Sequence, residues 1–201
     1  MSGAAPGPAF VRRTGTGLLA GGQRLTWTVA EGRRGRRWRA TTLSEDGRLL
    51  LALLLEIDPS GCFAHLEASS PAGMLTLHPE AGQATLHGNV VRASGLEHVT
   101  LPWSPRHILM LGASPVTAVV AAAQLAGRLG MGEGMSVPAV DIGETLAPRS
   151  ATWRAARLAA ASWRLLAADG AYSLAIALDD DGAPAGLASA QTWPMELIPG
   201  A

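Results

Sequence analysis

The chain has 201 residues, of which 48% are hydrophobic and 16% charged; this balance excludes a disordered chain and allows a sizeable core. Sixteen basic and sixteen acidic residues cancel, which excludes the overall basic excess typical of general nucleic-acid binders. Because Cys62 is the single cysteine, no intrachain disulfide can form and the fold needs no oxidising compartment.

The chain begins with a segment rich in Gly, Ala and Pro. We expect residues 1–22 to form a flexible N-terminal arm. No internal repeat of 20–50 residues and no linker interrupts the rest of the sequence. Residues 23–201 are therefore predicted to form a single β-rich domain.

A β-hairpin is predicted directly after the arm. Residues 24–29 and 37–43 each alternate in side-chain type, and glycines and arginines between them supply a turn. Alternation places Trp38, with Ala40 and Thr42, on one face of the second strand. Trp27 and Trp38 are then expected to lie across from one another, a pairing that stabilises sheets.

A series of further strands is predicted at intervals of about 8 to 12 residues, the spacing of an antiparallel all-β meander. Residues 48–58, RLLLALLLEID, are apolar on both faces, which predicts a central strand covered on both sides. The strands predicted after it are residues 62–69, 73–78, 84–92 and 97–101.

One helix interrupts the strands. Ser114 and Pro115 are a typical N-cap and first helical residue, and Gly130 is a typical end signal, so the helix is predicted over residues 115–129. The polar residues Thr117, Gln124 and Arg128 share one face. The helix should therefore lie buried against the sheet.

The region after the helix returns to strands. Residues 135–142 are predicted as a strand whose Pro138 suits an edge or a bulge. The pattern of residues 151–161 fits either a helix or a strand. Residues 162–168 and 171–178 are predicted as two strands joined by a turn at Asp169-Gly170, and residues 179–182, DDDG, as a final turn. The fold class is mostly β (α+β), a curved antiparallel sheet packed on one buried helix.

Three segments of the C-terminal half carry a family resemblance. They are LHGNVVRASGLEHVTLPW, ASPVTAVVAAAQL followed by GEGMSVPAVDI, and YSLAIALDDDGAP. In this order they resemble the glycolipid-binding family, whose members adopt a spiral β-roll similar to bacterial lipoprotein carriers. The family's helix start, Gly-Glu turn, Val-Pro strand and late Asp-x-Asp-Gly correspond to residues 114–117, 132–133, 137–138 and 179–182. The resemblance implies a sheet wrapped round a helix, an apolar interior able to take an acyl chain, and no catalytic residue.

Tryptophan is unusually frequent, with six residues against two Phe and one Tyr. Its apolar body and single N–H suit the lip of a hydrophobic cavity as well as a packed core. The alanines of the helix leave space beside the sheet, which fits either a cavity or close helix-on-sheet packing. The predicted ligand-binding residues are Trp38, Trp103, Ala122, Ala126 and Trp163.

Five arginines cluster in the predicted hairpin, at positions 33, 34, 36, 37 and 39. Arg36, Arg37 and Arg39 are the predicted anion-binding residues, for a lipid phosphate, an anionic membrane surface, nucleic acid or an acidic protein. The alternative is a solvated strand face balanced by Glu31 and Glu45. Nucleic acid is the least favoured partner because the chain has no basic excess.

Catalytic and metal-binding patterns are weak. His78, His87, His98 and His107 recur at intervals that strands can bring together, but no zinc-type spacing accompanies them. Cys62 is expected to be a small buried residue. Residues 179–181 lack the further acids of a calcium loop, and residues 130–134 follow a helix where a phosphate loop would precede one.

The sequence also predicts a location. The first residues lack a basic region followed by an apolar one, so no secretory signal is expected. The longest apolar run, residues 49–55, is about a third of a membrane-spanning helix. We therefore expect a cytoplasmic protein without a membrane span. All basic residues are arginine, a usage typical of a GC-rich, bacterial genome.

These patterns lead to three hypotheses. The first is non-catalytic binding of a hydrophobic or amphipathic ligand, a lipid or glycolipid, in a cavity between sheet and helix, with no cofactor and no metal. The second is an interaction module that uses the Arg33–Arg39 hairpin for an anionic partner. The third and weakest is an enzyme built on His87, His98 and His107.

Overall fold

Two β-sheets and one α-helix make up the part of the chain that the computed structural model describes, which is residues 11–80, 82, 84–112, 114–180, 182 and 184–187. The protein is mostly β, as the sequence predicts. The first sheet contains β1 (Val11–Leu18), β2 (Arg24–Gly32), β3 (Gly35–Leu43), β4 (Leu49–Ile57), β5 (Phe63–Ser70), β6 (Gly73–Pro79), β7 (Thr85–Arg92) and β8 (Gly95–Pro102). The second region contains β9 (Ile108–Leu111), α1 (Pro115–Leu125), β10 (Gly134–Ile142), β11 (Pro148–Arg157), β12 (Ser162–Ala167), β13 (Ser173–Leu178) and β14 (Pro184–Leu187).

The first sheet is an antiparallel meander in which each strand pairs with its neighbours in sequence, from β1 to β8. The second sheet has the order β14-β13-β12-β11-β10-β9. Its pairs are antiparallel except for β9 and β10, which run parallel because α1 lies between them and carries the chain back. The buried residues of both sheets and of α1 form one continuous hydrophobic cluster.

The prediction of a flexible N-terminal arm over residues 1–22 is wrong from residue 11 onward. Residues 11–18 form β1, which pairs with β2 along its whole length. Gly15 explains why a Gly-rich segment is a strand here. It lies opposite Trp27, and a Cβ at Gly15 would stand 2.4 Å from Cε2 of that indole. Residues 1–10 of the predicted arm lie outside the described residues.

The hairpin of β2 and β3 is confirmed, with the arginines at and beside its turn. Trp38, Ala40 and Thr42 lie on the buried face, as the alternation predicts. Trp27 pairs with Ala40 instead of Trp38, so the two indoles meet diagonally, with ring centroids 5.7 Å apart.

Strand β4 occupies the predicted central place in its sheet, but only one of its faces is fully covered. Leu53, Leu55 and Ile57 are buried, whereas Leu54 and Ala52 on the other face are half-buried. The expectation of cover on both sides is wrong, because the side chains on that outer face keep part of their surface exposed.

The helix is shorter than predicted. It ends at Leu125 instead of residue 129, because Gly127 interrupts the pattern and tight turns follow, with the Arg128 N–H bonded to the Leu125 carbonyl at 2.8 Å. Ser114 is the N-cap residue, but its side chain makes no capping bond. The hydroxyl of Thr117 instead ties the start of the helix to β9, donating to the Ser114 carbonyl at 3.0 Å and accepting from the Leu111 N–H at 3.2 Å.

Of the ambiguous residues 151–161, residues 151–157 are strand, since β11 runs to Arg157 and pairs with both β10 and β12, and residues 158–161 form the connection to β12. Pro138 pairs with Thr152, just before the parallel ladder with β9 begins at Ala139. Its missing N–H therefore falls where β10 has a neighbour on one side, which agrees with the edge prediction. Strand β9, a run of four buried apolar residues, is an element that the sequence patterns did not predict.

Candidate functional site

The helix is the centre of the candidate ligand site. It packs against β9 at one end of the second sheet and against β13 and β14 at the other. The sheet must therefore curve around the helix. The buried side chains of the helix are small apart from that of Leu125. They belong to Pro115, Val116, Thr117, Ala118, Val119, Val120, Ala121, Ala122 and Leu125. This is the arrangement expected of a sheet wrapped round a helix with an apolar interior.

The predicted ligand-binding tryptophans are packed in the core. Trp38, Trp103 and Trp163 are 2%, 5% and 1% exposed. Each has a different neighbour: Trp38 meets Trp27, Trp103 meets the edge of Phe63 at 5.4 Å, and Trp163 lies under the Arg157 guanidinium at 5.3 Å. The three indoles therefore have different neighbours, and the structure shows no contact among them.

The two predicted helix residues differ in their surroundings. Ala122 is fully buried, while Ala126 is exposed and lies just past the end of α1. A ligand could reach Ala122 only after the interior opened, since the side chain has no accessible surface in this conformation.

Two buried indole donors were not singled out by the sequence. Nε1 of Trp27 and Nε1 of Trp153 have no hydrogen-bond partner within the described structure, and both side chains are buried. The Trp153 ring stacks on Tyr172 at a centroid distance of 6.4 Å. A buried donor without an acceptor is unusual and costs free energy. The sequence could not identify these donors, because the lack of an acceptor becomes visible only when the side chains packed around each indole are in place.

The arginine hairpin is partly neutralised. Arg36 bonds Glu31 at 2.8 Å, as one of the two expected balancing acids, and Arg37 bonds Glu56 at 2.6 Å across to β4. Arg39, the third predicted anion-binding residue, is exposed on β3. Within the described residues it has no hydrogen bond or ion pair, and the same holds for the exposed Arg33 and Arg34 at the turn. The free cations are therefore positions 33, 34 and 39.

A carboxylate–arginine cluster lies at the turn side of β10 and β11. Nη2 of Arg149 is 2.8 Å from Oδ2 of Asp141 and 2.9 Å from Oδ2 of Asp169. Asp141 is buried, and its Oδ1 has no partner in the described structure. The Asp141 hydrogen bond raises the pKa of Arg149, while the Ala171 N–H and Arg149 lower the pKa of Asp169. Burial, with nearby acids, raises the pKa of Tyr172.

The predicted histidines do not converge. His78 pairs with His87 across β6 and β7, and Nδ1 of His98 is 2.7 Å from Asn89. His107 lies in the loop after β8, stacked on Trp103, and burial lowers its pKa. Among the residues that the structure describes, no group of three or more His, Cys, Asp or Glu side chains is placed to hold a metal ion. No described helix is long and apolar enough to cross a membrane.

Comparison with known proteins gives one informative likeness. No protein-family model and no curated protein matches the chain. Among solved structures, a DUF1089 family protein from Pseudomonas aeruginosa superposes with a TM-score of 0.53 at 18% sequence identity. The match covers 94% of this chain and 95% of that one. At this identity the likeness is one of fold, and it extends over both sheets and the helix.

Proposed function

We propose that the protein binds a hydrophobic or amphipathic molecule, a lipid or glycolipid, without catalysing a reaction, and that it does so in the cytoplasm. The ligand would lie between the curved second sheet and α1. The small side chains of the helix and the apolar inner face of the sheet support this proposal. So does the resemblance of the C-terminal half to the glycolipid-binding family.

One observation carries the proposal furthest, the buried indole donor of Trp153 on β11 of the second sheet. It lies in the hydrophobic cluster and has no hydrogen-bond partner in the described structure. An unpartnered buried donor costs about 1–3 kcal/mol. An ester, hydroxyl or glycosidic oxygen of an amphipathic ligand would supply the missing acceptor, whereas a pure hydrocarbon would not. We therefore favour a ligand that carries oxygen atoms next to its acyl chain.

Binding requires that the interior open, because the side chains around Ala122 are packed. The helix is the element best suited to move. Its side chains are short, so each makes fewer contacts than a Leu or Phe would. Acyl burial would then be favourable by about 25 cal/mol per Å² of apolar surface, before the cost of opening is subtracted.

Native mass spectrometry of the freshly purified protein, followed by solvent extraction, tests the proposal. We expect a co-purified mass of lipid size that is lost on extraction. Ala122→Phe should abolish it by filling the interior, and the matched control Ala126→Phe should retain it because that residue is exposed. Circular dichroism must show that both variants fold. Equal retention by two folded variants would contradict binding beside the helix.

A second candidate is binding of an anionic partner at the arginine hairpin. The specific observation in its favour is that Arg33, Arg34 and Arg39 are exposed and lack an acidic partner in the described structure. Binding should then fall steeply with salt. Replacing the three by Ser should abolish it. Replacing three exposed arginines elsewhere, Arg106, Arg154 and Arg164, is the matched control, and equal loss in both variants would show only a general charge effect.

A further inference from the structure

The outer face of the first sheet carries an exposed apolar row at its β8 edge. Met74, Val91 and Leu96 lie in register on β6, β7 and β8, since Met74 pairs with Val91 and Val91 with Leu96. They are 53%, 47% and 59% exposed. Large apolar side chains scattered singly are ordinary on a surface, but three in direct register form a continuous patch.

Histidines lie beside this row on the same face. One row further along the strands, His98 pairs with Asn89, and in the next row His78 pairs with His87. Alternation along the strands gives the opposite face to buried residues such as Leu75 and Leu77. We call Met74, Val91, Leu96, His78, His87 and His98 together the β6–β8 face.

Each of the three histidines has a polar side chain as its neighbour. Nε2 of His87 is 3.4 Å from Oε2 of Glu80, and its Nδ1 is 3.4 Å from the Thr100 hydroxyl. The partner of His98 is the Asn89 side-chain oxygen, and His78 lies opposite His87.

Two acids lie beside the histidines on this face. Glu80 is the acid that contacts His87, and Glu67 on the neighbouring strand β5, opposite Thr76, is 3.0 Å from His65. Positive charge on His78, His87 and His98 would therefore be only partly balanced by these two acids.

We propose that the β6–β8 face docks onto an anionic lipid surface, with the apolar row inserted shallowly and the histidines beside it, and that docking strengthens on acidification. Histidine is the side chain that usually titrates between about pH 5 and pH 8. Shallow apolar insertion together with attraction to anionic headgroups is the usual basis of reversible membrane attachment.

A second copy of the chain fits the face less well. A stable interface buries roughly 800 Å² on each partner and has a well-packed apolar core. Three side chains in one row supply only a small part of that, and protonated histidines on both copies would repel one another. A bilayer needs no such matching surface. This proposal does not depend on a ligand in the interior.

Vesicle co-sedimentation of the full chain tests it. The probes are vesicles of phosphatidylglycerol with phosphatidylcholine, and of phosphatidylcholine alone, at about pH 5 and about pH 8. We expect binding to the anionic vesicles to be on the order of tenfold or more stronger at the lower pH, since each added surface charge contributes appreciably. Equal binding to both vesicle types, or a pH-independent affinity, would overturn the proposal.

Variants assign the effect to the face. His78→Gln, His87→Gln and His98→Gln combined should remove most of the pH dependence, while His107→Gln, in the loop after β8, should leave it unchanged. Met74→Ser, Val91→Ser and Leu96→Ser combined should weaken binding at both pH values. The chain with Arg33, Arg34 and Arg39 replaced by Ser should keep the pH response. If it loses that response, or if acidification produces a dimer without vesicle binding, the face has been wrongly assigned.

Discussion

The contact between Gly15 and Trp27 makes Gly15→Ala the sharpest test of the fold. The added Cβ would lie 2.4 Å from Cε2, 2.5 Å from Cζ2 and 2.6 Å from Nε1 of the indole. Real Cβ atoms do not approach so closely, so the indole must shift. Trp27 is 2% exposed and packs on Trp38, so it has little space to move.

Overpacking of this kind costs about 1–3 kcal/mol. The replacement of a glycine in an extended strand by alanine returns up to about 1 kcal/mol through the unfolded chain. We therefore expect a net loss of about 1–2 kcal/mol, or a Tm lower by about 2–8 °C at this chain length. The measurement is thermal unfolding followed by near-UV circular dichroism, which also reports the Trp27–Trp38 pair. Gly127→Ala is the control, because nothing lies within 4 Å of a Cβ there. An unchanged or higher Tm for Gly15→Ala would refute the pairing of β1 over this indole.

Three further predictions concern other polar contacts. Thr117→Val should destabilise the protein by about 1–3 kcal/mol in urea unfolding, because the buried Leu111 N–H loses its acceptor, whereas Thr117→Ser should cost much less. Burial lowers the pKa of His107, so the unfolded chain binds more protons than the folded one, and the free energy of unfolding should fall as the pH drops below the ordinary value of 6.5. In the His107→Gln variant this decrease between about pH 7 and pH 5 should become smaller. An equally steep decrease in the variant would contradict the role of His107. Arg149→Gln should lower the Tm because Asp141 is left buried without its partner, and adding Asp141→Asn should restore part of the loss; no recovery in the double variant would show that the pair is not coupled.

Much of the fold follows from local patterns in the sequence. Strands β2 to β8 alternate or end at glycine-containing turns, and the buried helix begins at a Ser-Pro pair, so period and turn chemistry suffice. Strand β1 was missed because its glycines resemble a loose arm until Trp27 is placed opposite Gly15. Strand β9 was missed because four apolar residues have no diagnostic period, and only its parallel pairing with β10 defines it.

The candidate site was less predictable, for a physical reason. The sequence shows which residues can line an interior, such as Trp38 and Ala122, but burial alone does not distinguish a lining from a filled core. The sequence places five arginines in one hairpin, but only the pairing of β3 with β4 shows that Arg37 forms an ion pair with Glu56. Which cations are free depends on register, a property of the folded sheet.

The pairing of every strand of the first sheet with its neighbour in sequence has a consequence for how the protein folds. Each hairpin closes a short loop, so the meander can assemble one strand at a time with a small entropic cost per step. The parallel pair of β9 and β10 instead requires the helix and its flanking turns to be in place first. We expect pulse-labelled amides of β2 to β7 to gain protection before those of β10. During synthesis the first sheet would thus emerge with its apolar face uncovered until the second sheet and α1, which complete the shared hydrophobic cluster, have been made.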